Sequence, residues 1–150
     1  MEQNRAMQFM EQGYVGSEAV LLAVCQEFGI ETGNDVIPRI ASGFAGGIGN
    51  TGDVCGAVVG AVMAISLKLG RADTMEESLR RLAVPREFRR RFETEMGTIS
   101  CRELTGVDLS TKEGIEQYMS SDKPVTVCFP AVGTAYRLTV DLLKEPSGKA

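Results

Sequence analysis

The sequence predicts an all-α fold: a compact bundle of about six to eight short helices with a glycine-rich loop ahead of the central one. Apolar residues recur at helical spacing in segment after segment. Helix start and stop signals bracket those segments. Only Val125 to Phe129 reads as a strand, and a lone strand has nothing to pair with.

Taken in order, Glu2 to Gln12 carries Ala6, Met7, Phe9 and Met10 among polar residues, and Gly13 ends it. Ser17 suits an N-cap for a second helix on Leu21, Leu22, Cys25 and Phe28, stopped by Gly29 and Gly33. A brief helix over Asp35 to Ser42, which contains Pro38, leads into Gly43 to Gly52, where glycine dominates. Such a loop can bring backbone N–H groups close to a ligand, and Gly46, Gly47 and Gly49 are the candidates, with Gly56 just beyond.

Asp53 can cap the central helix, Val54 to Leu69, placing Cys55 in its first turn. Gly56, Gly60 and Ala64 share one face of that helix, and small residues at this spacing allow a neighbouring helix to come very close. Thr74-x-x-Glu77 is a capping box for a helix with Met75, Leu79 and Leu82 inward. Pro85 suits the first turn of the next, whose stripe is Phe88, Phe92 and Met96 before Gly97. Two further capping boxes follow. Ser100-x-x-Glu103 sets Cys101 in a first turn, and Ser110-x-x-Glu113 opens a helix burying Ile115 and Met119. The last helix starts near Pro130 and runs on Val132, Tyr136, Val140 and Leu143, leaving Cys128 just ahead of it. The tail from 146 to 150 is expected to be disordered.

A chain of 150 residues is most simply one domain, 1–150, with a core that needs no disulfide. A net charge of -4 disfavours nucleic acid and anionic membranes as partners. The apolar run from Val54 to Leu67 is shorter than the roughly 20 residues of a membrane span, so a buried helix is expected there. The N-terminus lacks the basic-then-apolar layout of a secretory signal, which points to the cytoplasm, where structural disulfides rarely persist.

The chain contains no histidine and no tryptophan. That removes Ser-His and Cys-His catalytic pairs, histidine-ligated zinc and c-type haem. The four cysteines then carry the chemistry. Cys55, Cys101 and Cys128 stand where helices begin, a setting that stabilises a thiolate. Cys25 lies mid-helix on an apolar stripe and reads as a small core hydrophobe.

Two other patterns have plainer explanations. Gly47-Ile48-Gly49-Asn50-Thr51-Gly52 satisfies G-x-G-x-x-G but lacks the preceding strand and parallel sheet of a dinucleotide site. Of the arginines between 80 and 91, Arg80, Arg81 and Arg91 follow Glu76, Glu77 and Glu87 at i, i+4, as on a solvated helix face; an acidic partner docking at Arg86, Arg89 and Arg90 is the alternative.

The stretch Gly43-Phe44-Ala45-Gly46-Gly47-Ile48-Gly49, then Cys55-Gly56-Ala57-Val58-Val59-Gly60, then Cys101-Arg102-Glu103-Leu104-Thr105-Gly106, then Cys128 before a terminal helix, resembles the C-GCAxxG-C-C family of redox-active proteins. The resemblance covers nearly the whole chain. It implies a small bacterial or archaeal protein with redox function. A related domain in a split-Soret type cytochrome is associated with an iron–sulfur cluster, so a cluster or metal on Cys55, Cys101 and Cys128 is implied as well.

In the family the first cysteine usually falls in a segment like Gly-Tyr-Asn-Cys; here that segment reads Gly13-Tyr14-Val15-Gly16. Gly16 thus stands in the first cysteine's place. Cys25, nine residues on, lies about two and a half turns further along the helix and on its other side. The resulting expectation is three redox thiols carrying out electron transfer or thiol–disulfide chemistry, with any cluster completed by an exogenous ligand or a second subunit of a homo-oligomer. The alternative is a helical interaction module with a degenerate redox site. The sequence identifies no redox partner.

Overall fold

The helix that organises the molecule is apolar on nearly every side, and for that reason it lies at the centre. In the computed structural model, which describes residues 4–32 and 35–146, this is α2 (Gly16–Glu27). Residues Ala19, Val20, Leu21, Ala23, Val24 and Cys25 are all buried. Around it stand α1 (Arg5–Glu11), α4 (Gly56–Leu69) and α9 (Phe129–Leu143). α3 (Val36–Ala41) and a 3₁₀ turn (Ser42–Phe44) lead into the glycine-rich loop. α5 (Met75–Arg81) and α6 (Ala83–Met96) are separated by Leu82 alone and form one bent body. α7 (Cys101–Thr105) and α8 (Lys112–Met119) precede a π-helical turn (Pro124–Cys128) that runs straight into α9. The fold is all-α, as the periodicity predicts. The expected tail beyond Pro146, the helix stop at Gly33 and the helix start at Glu2 lie outside the described residues.

Close approach of α2 and α4 depends on the small-residue face. A Cβ built on Gly60 would stand 2.4 Å from the Ser17 carbonyl oxygen, so only glycine fits where the two backbones meet. Ser17 is not the N-cap of α2; Val15 holds that position, and its N–H donates to Glu18 Oε1 at 2.9 Å. The Ser17 hydroxyl instead donates to the Ala41 carbonyl at 2.7 Å, tying α2 to the end of α3. Asn4 caps α1, and its amide donates to the Gly133 carbonyl of α9 at 3.0 Å.

α6 follows its pattern closely. Phe88 and Phe92, four residues apart, are fully buried, while the opposite face carries Arg89, Arg90 and Glu93. The pairs Glu77–Arg81 and Glu87–Arg91 form at i, i+4. α5 departs from expectation: Met75, Leu79 and Leu82 are 75%, 60% and 50% exposed. Periodicity marks an apolar stripe, but this short helix lies mainly against α6 and reaches α4 through the polar Arg81, which donates to the Leu69 carbonyl at 2.6 Å.

Three local corrections concern the segments near the site. Cys55 is itself the N-cap of α4, while the Asp53 carboxylate accepts the Val54 N–H at 2.8 Å. Thr111, not Ser110, caps α8, accepting the Gly114 N–H at 2.9 Å, because Asp108 captures Ser110. Residues 125–129 are helical where β-branched content had suggested a strand. The Asp122 carbonyl accepts the N–H groups of Val125 and Thr126, which starts the turn.

Candidate redox site

Val54 and Ser100 form an isolated antiparallel bridge, flanked by Cys55 N–H to Ile99 O at 2.7 Å and Cys101 N–H to Asp53 O at 2.8 Å. This pattern makes 54 and 100 a non-hydrogen-bonded pair. Because side chains alternate along a strand, Cys55 and Cys101 then project from the same face as diagonal neighbours, a relation that sets residues about 7–8 Å apart. α4 and α7 both begin at this junction.

The glycine-rich loop makes the junction. Gly46, Gly47, Ile48, Gly49 and Asn50 all have positive φ, forming a left-handed turn. Its N–H groups from Ile48 through Asp53 bond to carbonyls within the loop and the 3₁₀ turn before it, so those six are not offered to the cysteines. At Gly47, with φ of 73°, a Cβ would lie 2.5 Å from Asp53 N and 2.8 Å from Cys101 Cβ. That glycine lets the loop fold against the Cys101 helix. Gly46 and Gly56 line the cavity described next, whereas a Cβ on Gly49 would meet nothing within 4 Å.

Cys55, Cys101 and Cys128 line one cavity of about 350 Å³, and Gly16 lines it with them. Its walls include Met10, Tyr14, Leu104, Leu109 and Val132, and no Asp, Glu, Lys or Arg is among its lining residues. Ile115 and Met119, expected to be buried, are 39% and 69% exposed because they form the rim. Cys25 is apart from this group, buried in the core at 4% exposure.

All four thiols are free. Burial is the main influence on each and pushes its pKa up. For Cys101 the rise is to about 11, through burial first and then the neighbouring Cys55 and Cys128. At Cys55 the Ala57 and Val58 N–H groups favour the thiolate without overcoming burial. The helix-start setting alone suggested depressed values; desolvation in an apolar cavity outweighs the dipole. Cys128, moreover, is one turn inside the continuous π- and α-helical run instead of ahead of it.

Sequence reasoning missed Tyr118. Its hydroxyl lies 3.0 Å from Cys128 Sγ, and this contact favours the Cys128 thiolate against burial. Burial, then the cysteines, hold the phenol itself well above its usual range. The signal available was a hydroxyl-bearing aromatic ten residues ahead of a cysteine across Ser120, Ser121 and Asp122, but the contact exists only because that turn folds α8 back toward α9.

An iron–sulfur cluster usually takes four thiolates, and the cavity is lined by three cysteines. Among the described residues no group of three or more His, Cys, Asp or Glu is arranged to hold a metal ion. The residues present therefore do not fit a cluster held by this chain alone.

An all-α protein with three cysteines gathered on one apolar cavity is the class that fold and site define. Residues 14–142 match the family described as "Putative redox-active protein (C_GCAxxG_C_C)", and the chain belongs to that family. No curated protein and no solved structure matches the chain. Among the described residues no helix is long and apolar enough to cross a membrane.

Proposed function

We propose that this protein is a thiol-based electron carrier that works by thiol–disulfide exchange through Cys55, Cys101 and Cys128. The observation that supports it is their presence on one cavity although 46 and 27 residues separate them along the chain. In the reducing half-reaction one cysteine thiolate attacks a partner disulfide, forming a mixed disulfide and expelling the partner's first thiolate. A second cysteine then attacks the protein sulfur of that bond, closing a protein disulfide and releasing the partner's second thiolate. Two electrons pass to the partner, and the two thiol protons end on its sulfurs.

Cys128 suits the first attack because the Tyr118 hydroxyl can hydrogen-bond its sulfur as charge develops. Cys101 and Cys55, neighbours across the Val54–Ser100 bridge, supply the second. Free thiols of this kind suit a reducing compartment such as the cytoplasm.

The test is oxidation with a disulfide reagent followed by peptide mass mapping under conditions that trap free thiols. One intramolecular bond among Cys55, Cys101 and Cys128, reversible with dithiothreitol and excluding Cys25, is expected. Independent capping of all three with no bond between them would overturn the reading.

A second reading, a helical interaction module with a degenerate site, is favoured by Gly16 in the first cysteine's place. It predicts no such bond. If the protein does carry a cluster, a ligand from outside the chain must complete it.

A further inference from the structure

We propose that the small molecules this site admits are compact, uncharged and largely apolar, and that it discriminates against anionic disulfides and thiols. The inference rests on the thiol-exchange reading and adds its substrate class. Three sulfurs open onto a cavity whose lining contains no charged side chain. Its volume of about 350 Å³ is at the small end of the roughly 300–1,000 Å³ of small-molecule sites. Of the polar side chains on the wall, Tyr14 packs its ring edge-on against Phe9 and three others are engaged or peripheral. Thr105 donates to the Cys101 carbonyl at 2.9 Å, Tyr118 contacts Cys128, and Asn50 packs against Gly46 on the exposed loop.

A carboxylate entering such a space would lose its hydration and meet no cation in return, with only tyrosine hydroxyls as strong side-chain donors, which is strongly unfavourable. An apolar or heteroaromatic disulfide meets Met10, Leu104, Leu109, Ile115 and Met119 instead, and its burial there is favourable. The half-buried state of each thiol keeps reagent access through the same cavity.

Two reagents of similar diaryl shape test this: neutral 4,4′-dithiodipyridine and 5,5′-dithiobis(2-nitrobenzoate), which carries two carboxylates. In each case a cysteine thiolate displaces one aryl thiolate and forms a protein–aryl disulfide. Second-order rates are measured for folded and urea-unfolded chain, with peptide mapping to assign the labelled residue. The unfolded chain corrects for the reagents' different leaving groups. About 1 M salt shortens the Debye length to about 3 Å and suppresses the effect of the chain's net negative charge.

The neutral-to-anionic rate ratio at Cys55, Cys101 and Cys128 is expected to be at least tenfold larger folded than unfolded. Ile115→Lys, on the exposed rim, should lower the neutral-to-anionic rate ratio of the folded chain several-fold by giving the carboxylates a cation to pair with; Met119→Lys serves the same purpose should the first variant not fold. Equal ratios in folded and unfolded chain, or no response to either lysine, would overturn the substrate class. Failure of both reagents to label the three cysteines in the folded chain would instead reject the thiol-exchange reading itself.

Discussion

Replacing Gly60 by alanine adds a single methyl group where α2 and α4 touch, the most extensive helix pair of the molecule. That methyl would lie 2.4 Å from the Ser17 carbonyl oxygen and 3.1 Å from Ser17 Cα and C. Ordinary contact needs nearly 1 Å more, and the obstacle is backbone, which cannot rotate away. The helices must separate, and a gap of 0.5–1 Å forfeits a quarter to a half of the dispersion energy of the contacts along it. Overpacking of this kind costs about 1–3 kcal/mol, and the rigid neighbour puts Gly60 at the upper end. Alanine's better helix propensity offsets about 1 kcal/mol. The net loss is about 2 kcal/mol, which lowers Tm by about 4–8 °C in a chain of this size. Thermal unfolding followed by circular dichroism measures it. Gly43→Ala, whose methyl meets nothing within 4 Å, is the control. A Gly60→Ala protein as stable as wild type would show that the two backbones do not make the contact described.

Gly16→Cys places a fourth sulfur on the cavity wall, its Cβ meeting a Val132 methyl at 3.1 Å, which must give by a few tenths of an ångström, and Ala57 N at an ordinary 3.8 Å. Anaerobic reconstitution with iron and sulfide should then give stronger visible absorption than wild type, while Cys25→Ala should leave wild-type behaviour unchanged; the reverse pattern would assign the fourth position to Cys25. Tyr118→Phe removes the hydroxyl at Cys128 but keeps the burial, so the pH profile of Cys128 alkylation should move to higher pH with those of Cys55 and Cys101 much less affected; an unchanged profile would refute the contact's role. The fold favours the neutral form of its buried thiols, so their contribution to stability is complete below the ordinary thiol value of 9.0 and is lost as pH rises through the folded values, about 11 for Cys101. Urea midpoints should fall between pH 8 and pH 10.5, and Cys101→Ser should flatten that fall; a slope identical to wild type would contradict the shift at Cys101.

The all-α class and the order of the helices follow from local chemistry. Thr74 and Ser100 cap their helices by accepting the N–H three residues on, as their positions in the sequence imply. Phe88 and Phe92 are buried because a four-residue spacing puts both on one face. The small residues at 56 and 60 announce a close helix contact without saying with what. The cysteines themselves are legible as a set through the family pattern, and Cys25 through its place on an apolar stripe.

What the tertiary structure decided is everything that depends on residues distant in the chain or on competition between effects of similar size. Val125 to Phe129 has strand-forming residues but no strand to join, so Asp122 and the following helix draw it into a π turn. Ile115 and Met119 repeat at helical spacing, yet they form the rim of a cavity because nothing packs over them there. The glycine-rich loop can supply N–H donors in principle, and the left-handed turn engages most of them within itself. A helix start favours a thiolate over one turn of sequence, but desolvation depends on how many apolar side chains the whole fold brings to the sulfur, and for Cys55 and Cys101 that is the larger effect. Tyr118 reaches Cys128 only once α8 has folded back on the turn before α9. Sequence by itself determined the helices and the identity of the thiols, since both are written in spacing along one chain. Their meeting on a single uncharged cavity, and the neutral state it imposes on them, came from packing, because burial is a property of the whole assembly of helices and of no segment alone.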